Sequence, residues 1–599
     1  MLDQKLQKWL IPVILSLLFS NLFSQTKEEK TLVLERIEVI FAQKENPRLK
    51  IPQQKYRNKR LDDINIRAIT EEILGQLKSH SYFLATTDST KITEGEQEEF
   101  GILQLFITAG PQFRLLGVHW ELSDSLKEHY QTLIEENVRN YTDRPYTDEL
   151  QQALFRSVIQ LFENSGYPLC RIKTEGFQLD SLEANRLGIW LNLQVEEGPT
   201  VKLMGLRVPP ESDISTRYLE RVFRFKKNEV YDENRIERYT RLLRKQDFIK
   251  SVESIDLVYG LDSLYYLQLR FEKSPSTTLD GVVGYIPPPV NDPTQNGYFT
   301  GLFNIGLKNL FGTGRRLDVY WQKPDRYSED FRVRYREPFL LGLPFHLGGT
   351  LHRLVRDTTY IEWEYSLNAE VPISENLSGF ARFYNREVFP DSLASLQLRL
   401  PQTRAYHSEL GLRWDTRDEP FNPKQGQVFS LFFDYGTQKN VGPEYLIQQD
   451  TLVSESNVTK VTGEVATFLQ FFRNQVLALH FHGILIGYEG TAVRPPDMFW
   501  FGGATTVRGY RENQFFGAKV GWVNTEYRFL VGPRSRLFIF GDFAYYSRQE
   551  PEFKEEFLVG YGAGISFPGP LGILQVDYGL ARGLSFSEGK IHFRIINEF

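Results

Sequence analysis

The sequence predicts an α+β half made of repeated small domains, followed by an all-β, sixteen-stranded antiparallel barrel that crosses a membrane. Three observations predict it. A strand–helix–helix–strand–strand order recurs in tandem through the first half. From Thr278 onward roughly sixteen alternating segments, of about 9 to 13 residues each, are separated by turn signals, the spacing of membrane strands. The composition sets 45 Phe, 30 Tyr and 45 Gly against 1 Cys and 3 Met. Aromatics suit strands and membrane-interface girdles, and glycine suits turns. A chain of 599 residues needs several folding units, and a net charge of −6 gives no basic footprint for nucleic acid. The lone Cys170 excludes an internal disulfide, so packing and strand pairing must hold the fold.

Residues 1–24 read as an export signal. Lys5 and Lys8 make a basic start, Trp9 to Phe23 is uncharged and largely apolar, and Ser24 offers a small residue for cleavage. The apolar run is shorter than the about 18 residues of a membrane helix, and no later run reaches that length. Any membrane span must then be a barrel.

The repeats follow. Residues 112–199 hold the clearest copy. Phe113–Glu121 reads as a strand, Asp124–Val138 as a helix capped by Asp124, and Thr147–Asn164 as a second helix capped by Thr147. Strands Arg171–Leu179 and Leu187–Val195 complete it. Residues 200–274 repeat the order with strand Val201–Val208, helices Ser215–Phe223 and Asp232–Lys245, and strands Ile249–Tyr259 and Ser263–Phe271. Residues 25–111 are a degenerate copy: strand Leu32–Phe41, helix Asp63–Lys78, strand Gly101–Thr108, no clear first helix, and a basic insertion Lys50–Arg60. Gly110-Pro111 and Gly198-Pro199 mark repeat boundaries about ninety residues apart, right for tandem small domains. This pattern resembles the polypeptide-transport-associated (POTRA) domain.

Residues 275–599 read as the barrel. Leu477, Leu479 and Phe481 share one face while Ala478, His480 and His482 share the other. Leu574, Val576, Tyr578 and Leu580 oppose Gln575, Asp577 and Gly579, and Ile591, Phe593, Ile595 and Phe599 oppose Lys590, His592, Arg594 and Glu598. Apolar-out and polar-in alternation is the signature of a lipid face and a lumen. Short turns (Phe472–Asn474, Gly532–Arg536, Pro568–Gly572) alternate with longer loops (Gln438–Lys460, Tyr488–Ala518). Short turns face the periplasm in such barrels, so Tyr488–Ala518 is the sixth outward loop, between strands 11 and 12.

That loop carries Phe501-Gly-Gly-Ala-Thr-Thr-Val-Arg-Gly-Tyr510. Elsewhere stand Asp415-Thr-Arg-Asp418 running through Pro420 and Pro423 to Gly426, the turn Gly312-Thr-Gly314, and the aromatic terminus Phe599. As an ordered set these motifs resemble the BamA/TamA superfamily of outer-membrane assembly factors, of POTRA domains plus a bacterial surface antigen barrel, and the chain is TamA-like in size. The resemblance implies that Val507, Arg508, Gly509 and Tyr510 form the family's loop motif, folded back into the lumen. It implies that Arg508 meets Glu526 and Asp542 on the wall, where a planar, permanently charged fork binds carboxylates bidentately. It also makes Asp415, Arg417, Asp418 and Gly426 a periplasmic turn motif, and Phe593 with Phe599 a terminal-strand signal.

No catalytic residue, cofactor or metal is expected. Neither a Gly-x-Ser-x-Gly elbow nor a His-Glu-x-x-His pair occurs. Gly560–Gly564 is glycine-rich but lies on an alternating strand; His480 and His482 share a face and could bind a metal, yet two ligands on a lumen wall are more often polar lining. Two functions fit: an assembly or translocation factor that captures client polypeptides with its POTRA domains and passes them through a laterally gated barrel, or a passive pore or two-partner-type secretion channel for a dedicated protein substrate. The implied location is the outer membrane of a Gram-negative bacterium with the domains in the periplasm. The implied partners are outer-membrane lipid, client outer-membrane or secreted polypeptides and, where one exists, an inner-membrane-anchored periplasmic partner.

Overall fold

The computed structural model describes residues 32–42, 49–97, 99–183, 186–287, 296–397, 399–447, 453–569 and 572–596. The expected export signal, Glu598 and Phe599 lie outside the described residues. Two compact units divide the chain: one reaches Val201 and includes Val230–Glu233, the other holds Lys202–Glu229 and everything from Asn234 onward.

Three small sheets form in the first half, and they share one topology. Strands β1 (Val33–Phe41), β2 (Thr86–Glu94) and β3 (Phe100–Thr108) pair in the order β1-β3-β2. Strands β4 (Gln112–Glu121), β5 (Arg144–Pro145), β6 (Arg171–Glu183) and β7 (Arg186–Glu196) pair as β5-β4-β7-β6. Strands β8 (Lys202–Arg207), β9 (Glu229–Val230), β10 (Ile249–Tyr259) and β11 (Tyr265–Lys273) pair as β10-β11-β8-β9. In each, the first long strand runs parallel to the last, and the strand before the last lies antiparallel on its far side. Parallel pairing needs a crossover, which the helices between the strands supply. Gly110 and Gly198 close the first two repeats with φ of +70 and +68°, a conformation that favours glycine.

Helix ends follow side-chain chemistry. Helix Asp148–Glu163 is capped by Thr147, whose hydroxyl accepts from Leu150 N at 3.1 Å. Helix Asp124–Arg139 corrects the expected cap: Asp124 is its first helical residue and Ser123 holds the capping position. The degenerate repeat is fuller than its sequence suggests. A short helix, Gln53–Tyr56, lies inside the basic insertion, helix Ile66–Ser79 is capped by Asn65, and β2 forms from a mostly exposed polar stretch with no apolar alternation to betray it.

The second half is one antiparallel sheet of sixteen strands paired in chain order. They are β12 (Thr277–Ile286), β13 (Tyr298–Leu310), β14 (Arg315–Lys323), β15 (Glu329–Glu337), β16 (His346–Arg356), β17 (Tyr360–Pro372), β18 (Leu377–Pro390) and β19 (Gln402–Asp415). Then come β20 (Gly426–Gly442), β21 (Glu455–Phe472), β22 (Gln475–Tyr488), β25 (Lys519–Gly532), β26 (Ser535–Arg548), β27 (Lys554–Gly569), β28 (Gly572–Ala581) and β29 (Lys590–Ile596). Strands β23 (Phe499–Phe501) and β24 (Phe515–Gly517) form a separate hairpin inside the loop between β22 and β25. Alternation along β26 shows the two faces: Leu537, Ile539, Phe543 and Tyr545 are exposed, while Phe538, Phe540, Asp542, Ala544 and Tyr546 are buried. Among the described residues no ladder joins β12 to β29, and no helix is long and apolar enough to cross a membrane.

The third α+β domain packs on the short turns of this sheet. Ser215 N donates to Gly312 O at 2.8 Å, and Tyr218 lies against Gly314, where any Cβ would fall 2.2 Å from its ring. Arg316 pairs with Asp247 at 2.8 Å, Arg241 with Glu375 at 2.8 Å, and Lys245 donates to Asn376 at 3.1 Å. The Gly312-Thr-Gly314 turn is therefore a docking surface for the preceding domain.

Candidate functional site: the arginine loop and its wall

Gly502, Gly503 and Gly509 take φ of +113, +94 and +93°, which turns the loop back on itself. Gly502 N donates to Thr506 Oγ1 at 2.8 Å and Gly503 N to Val507 O at 3.0 Å, closing a tight bend that aims Arg508 at the wall. Close approach is made possible by the wall itself. A Cβ on Gly509 would stand 2.6 Å from Leu580 C, and one on Gly560 would stand 1.9 Å from Arg508 O. Gly560, the first residue of the glycine-rich segment Gly560–Gly564, thus clears space for the loop's backbone.

Arg508 is 3% exposed and Asp542 0%. The guanidinium forks onto Asp542, with Nε to Oδ2 and Nη2 to Oδ1 both at 2.8 Å, and Nη1 donates to Glu526 Oε1 at 2.7 Å. Arg508 N adds a fourth bond to Asp542 Oδ2 at 2.9 Å. Its planar face lies 3.6 Å from the Phe540 ring centroid. A charge this deep needs its full set of partners, and the arrangement provides them.

The motif's neighbours complete the clasp. Val507 is fully buried among Ile484, Val520, Trp522 and Tyr546, Gly509 N donates to His592 Nε2 at 3.1 Å, and Tyr510 Oη donates to Val559 O at 3.2 Å. The inner face is thus apolar where the loop covers it, which departs from a uniformly polar lumen. The reason is that the loop brings its own hydrophobic surface, including Met498 and Phe501.

A second anchor escaped sequence reasoning. Arg386 on β18 donates to Asp497 of the same loop at 2.5 Å, to Pro496 O at 2.7 Å and to Glu362 at 2.7 Å. One loop therefore holds both β18 and β26, so the polar face of the sheet is concave around it. Nothing local in the sequence pairs residues more than a hundred positions apart, and only Arg386's place on an inward face hinted at a role.

The turn motif has its own geometry. Arg417 forks onto Asp415 at 3.0 and 2.6 Å. Asp418 Oδ1 accepts from Glu419 N and Lys424 N, each at 3.0 Å, and Gly426 at φ +107° packs on Thr416 O. None of these four touches Arg508, yet their turn reaches it through a buried chain. Asn422 Nδ2 donates to Pro533 O at 3.0 Å, and Arg536 Nη1 donates to Asn422 Oδ1 at 2.8 Å. Arg536 Nη2 donates to Gln575 Oε1 at 3.1 Å, Gln575 Nε2 donates to Asp577 Oδ2 at 2.7 Å, and Asp577 Oδ2 lies 3.8 Å from Arg508 Nη1. Arg528, bound to Glu526 at 2.8 Å, and Arg594, bound to Gln575 at 2.8 Å, flank the chain. Gln575, Asp577, His592 and Arg594 fall on the inward face that alternation marks; their partners do not follow from alternation. Phe593 stands apart, exposed on the outer face of β29.

Residues 309–599 match the Omp85 superfamily domain. No curated protein sequence matches the chain. Among solved structures, the chain is similar to BamA from Haemophilus ducreyi lacking POTRA domains 1–3, at 13% identity and a TM-score of 0.49, over 80% of this chain and 98% of that one. It is also similar to CdiB from Escherichia coli, at 14% identity and a TM-score of 0.48, over 88% of this chain and 97% of that one. CdiB from Acinetobacter baumannii is similar at 14% identity and a TM-score of 0.44, over 81% and 89%.

Proposed function

The chain carries an Omp85 superfamily domain at residues 309–599, and from that premise we propose that it inserts or translocates client polypeptides at the outer membrane of a Gram-negative bacterium. The preceding α+β domains, at 25–111, 112–199 and 200–274, are read as POTRA domains in the periplasm, the first degenerate. Their sheets end in open edges. Edge strand β6 exposes Phe177 and Leu179, which suits capture of an extended client by main-chain pairing with apolar side-chain contacts.

The observation that carries the reading is the seam. Strands β12 and β29 are the two ends of the ladder, and no pairing joins them among the described residues. Gly281 and Gly284 on β12 offer no side chains to pack, so that edge is easily opened. An unpaired edge presents donors and acceptors to a client strand. Meanwhile the clasp at Arg508 ties the loop to β26 and, through His592, to β29. We read Val507, Arg508, Gly509 and Tyr510 as the element that holds the wall beside the gate, with Glu526 and Asp542 as the arginine's partners.

The test is a series of cysteine pairs across β12 and β29 in a Cys170→Ser background. Oxidation should lock the seam and abolish client insertion, and reduction should restore it. Normal client assembly by a fully crosslinked protein would overturn lateral opening and leave a passive secretion channel as the better reading.

A further inference from the structure

Glu464 on β21 and His480 and His482 on β22 converge on the inner face of the sheet. Glu464 is the cross-strand partner of His482, while His480 faces Ala466, one pleat along. Residues two apart on a strand project to the same side, so both imidazoles and the carboxylate share one patch. One donor atom from each residue lies within 4.8 Å of the other two, and this is the one such group of three among the described residues.

The surroundings hold these groups in place. Ser430, itself buried, donates to Glu464 Oε2 at 3.1 Å. The His482 ring stacks on Trp522 at 4.6 Å, and the His480 ring meets Phe468 edge-on at 5.2 Å. His480 Nε2 is buried with no hydrogen-bond partner among the described residues. A buried polar nitrogen is normally satisfied, so an orphaned one on a ring grouped with a second imidazole and a carboxylate calls for a ligand.

We propose that Glu464, His480 and His482 bind one divalent first-row transition-metal ion of the zinc class. Two imidazole nitrogens with one carboxylate suit zinc and its neighbours; magnesium and calcium require sets of oxygens. Three protein ligands leave a fourth position open to water or to a donor from another molecule. The ion fastens β21 to β22. It also fixes the wall beneath the loop, because Trp522, on which His482 lies, stacks on Phe499 of the hairpin at 5.4 Å. The site is independent of the client-handling function: it stands on the donor geometry alone.

The experiment uses the full chain, purified in detergent without a polyhistidine tag and stripped with a chelator. Co2+ is titrated by its visible absorption and Zn2+ by competition with a chromophoric indicator. One ion per chain is expected. His480→Gln and Glu464→Gln should weaken binding by more than the about 10- to 100-fold that losing a group hydrogen-bonded to a ligand costs, and Ser430→Ala by about that amount. Heat-modifiable gel mobility identifies variants that fold, and where one fails the other carries the same test. Absence of stoichiometric binding in the parent protein, or undiminished affinity in both folded ligand variants, would overturn the site.

Discussion

Gly560 lies directly beneath Arg508: a Cβ at position 560 would stand 1.9 Å from the Arg508 carbonyl oxygen. The loop's charged side chain and the strand's missing side chain are two halves of one fit. The first satisfies the wall's carboxylates, and the second lets the backbone come close enough to do so.

Gly560→Ala should therefore lift the loop off the wall without removing any charge. Gly483, on wall strand β22 three strands along the sheet, has nothing within 4 Å of its would-be Cβ, so Gly483→Ala is the matched control. Limited proteolysis of the loop reads the outcome: cleavage within Arg494–Arg511 should rise sharply in the first variant and not in the second. Equal protection in both would show that the loop tolerates displacement at this contact.

Arg508→Ala should undock the loop while the sheet still forms. Asp542 would keep only the Arg508 backbone N–H among the bonds it now receives from that residue, leaving a buried carboxylate nearly alone. Breaking one side of such a pair costs about 3 to 5 kcal/mol. Because the penalty comes from the stranded charge, Arg508→Ala combined with Asp542→Asn should be more stable than Arg508→Ala alone. Thermal midpoints of the gel-mobility transition measure this. A double variant no better than the single one would refute the charge argument.

Where the chain is cut should matter more than how much is removed. Deleting residues 26–201 leaves the third domain with its partners on the sheet's turns, whereas deleting 26–273 also strips Asp247 from Arg316 and Arg241 from Glu375. The shorter deletion should keep the unfolding midpoint of the full chain and the longer should lower it. Identical midpoints would mean that the docking contributes no stability.

Cys170 is buried, and burial first, then the charges of Glu163 and Glu197, push its thiol up to about 12. The sign follows: a raised pKa means the neutral thiol is favoured in the fold. Its contribution to stability is whole below the ordinary thiol value of 9.0 and is lost as pH rises through about 12. At pH 8 the native protein should resist iodoacetamide, and denaturant should release labelling at the free-thiol rate. Rapid labelling of the folded protein would contradict this burial.

Much of this fold was legible because strand chemistry is local. Alternation in β22, β28 and β29 marked which side chains point inward, and it did so with no knowledge of their partners. Thr147 announced a helix start for the same reason: its hydroxyl reaches a backbone N–H three residues away. Local rules failed where a strand buries nothing, as in the polar β2, or where a cap shifts by one residue, as at Ser123 and Asp124.

The sequence by itself determined the strand count, the inward face and the loop that carries Arg508, since each rests on a period of two or on glycine's freedom at a bend. Only the tertiary structure decided what those faces meet. It seated Arg508 on Asp542, set Arg386 against Asp497, strung Asn422 to Asp577 through Arg536 and Gln575, and placed Glu464 beside two histidines. Those pairings depend on the curvature and stagger of sixteen strands taken together, and a property of the whole sheet leaves no mark on any single segment.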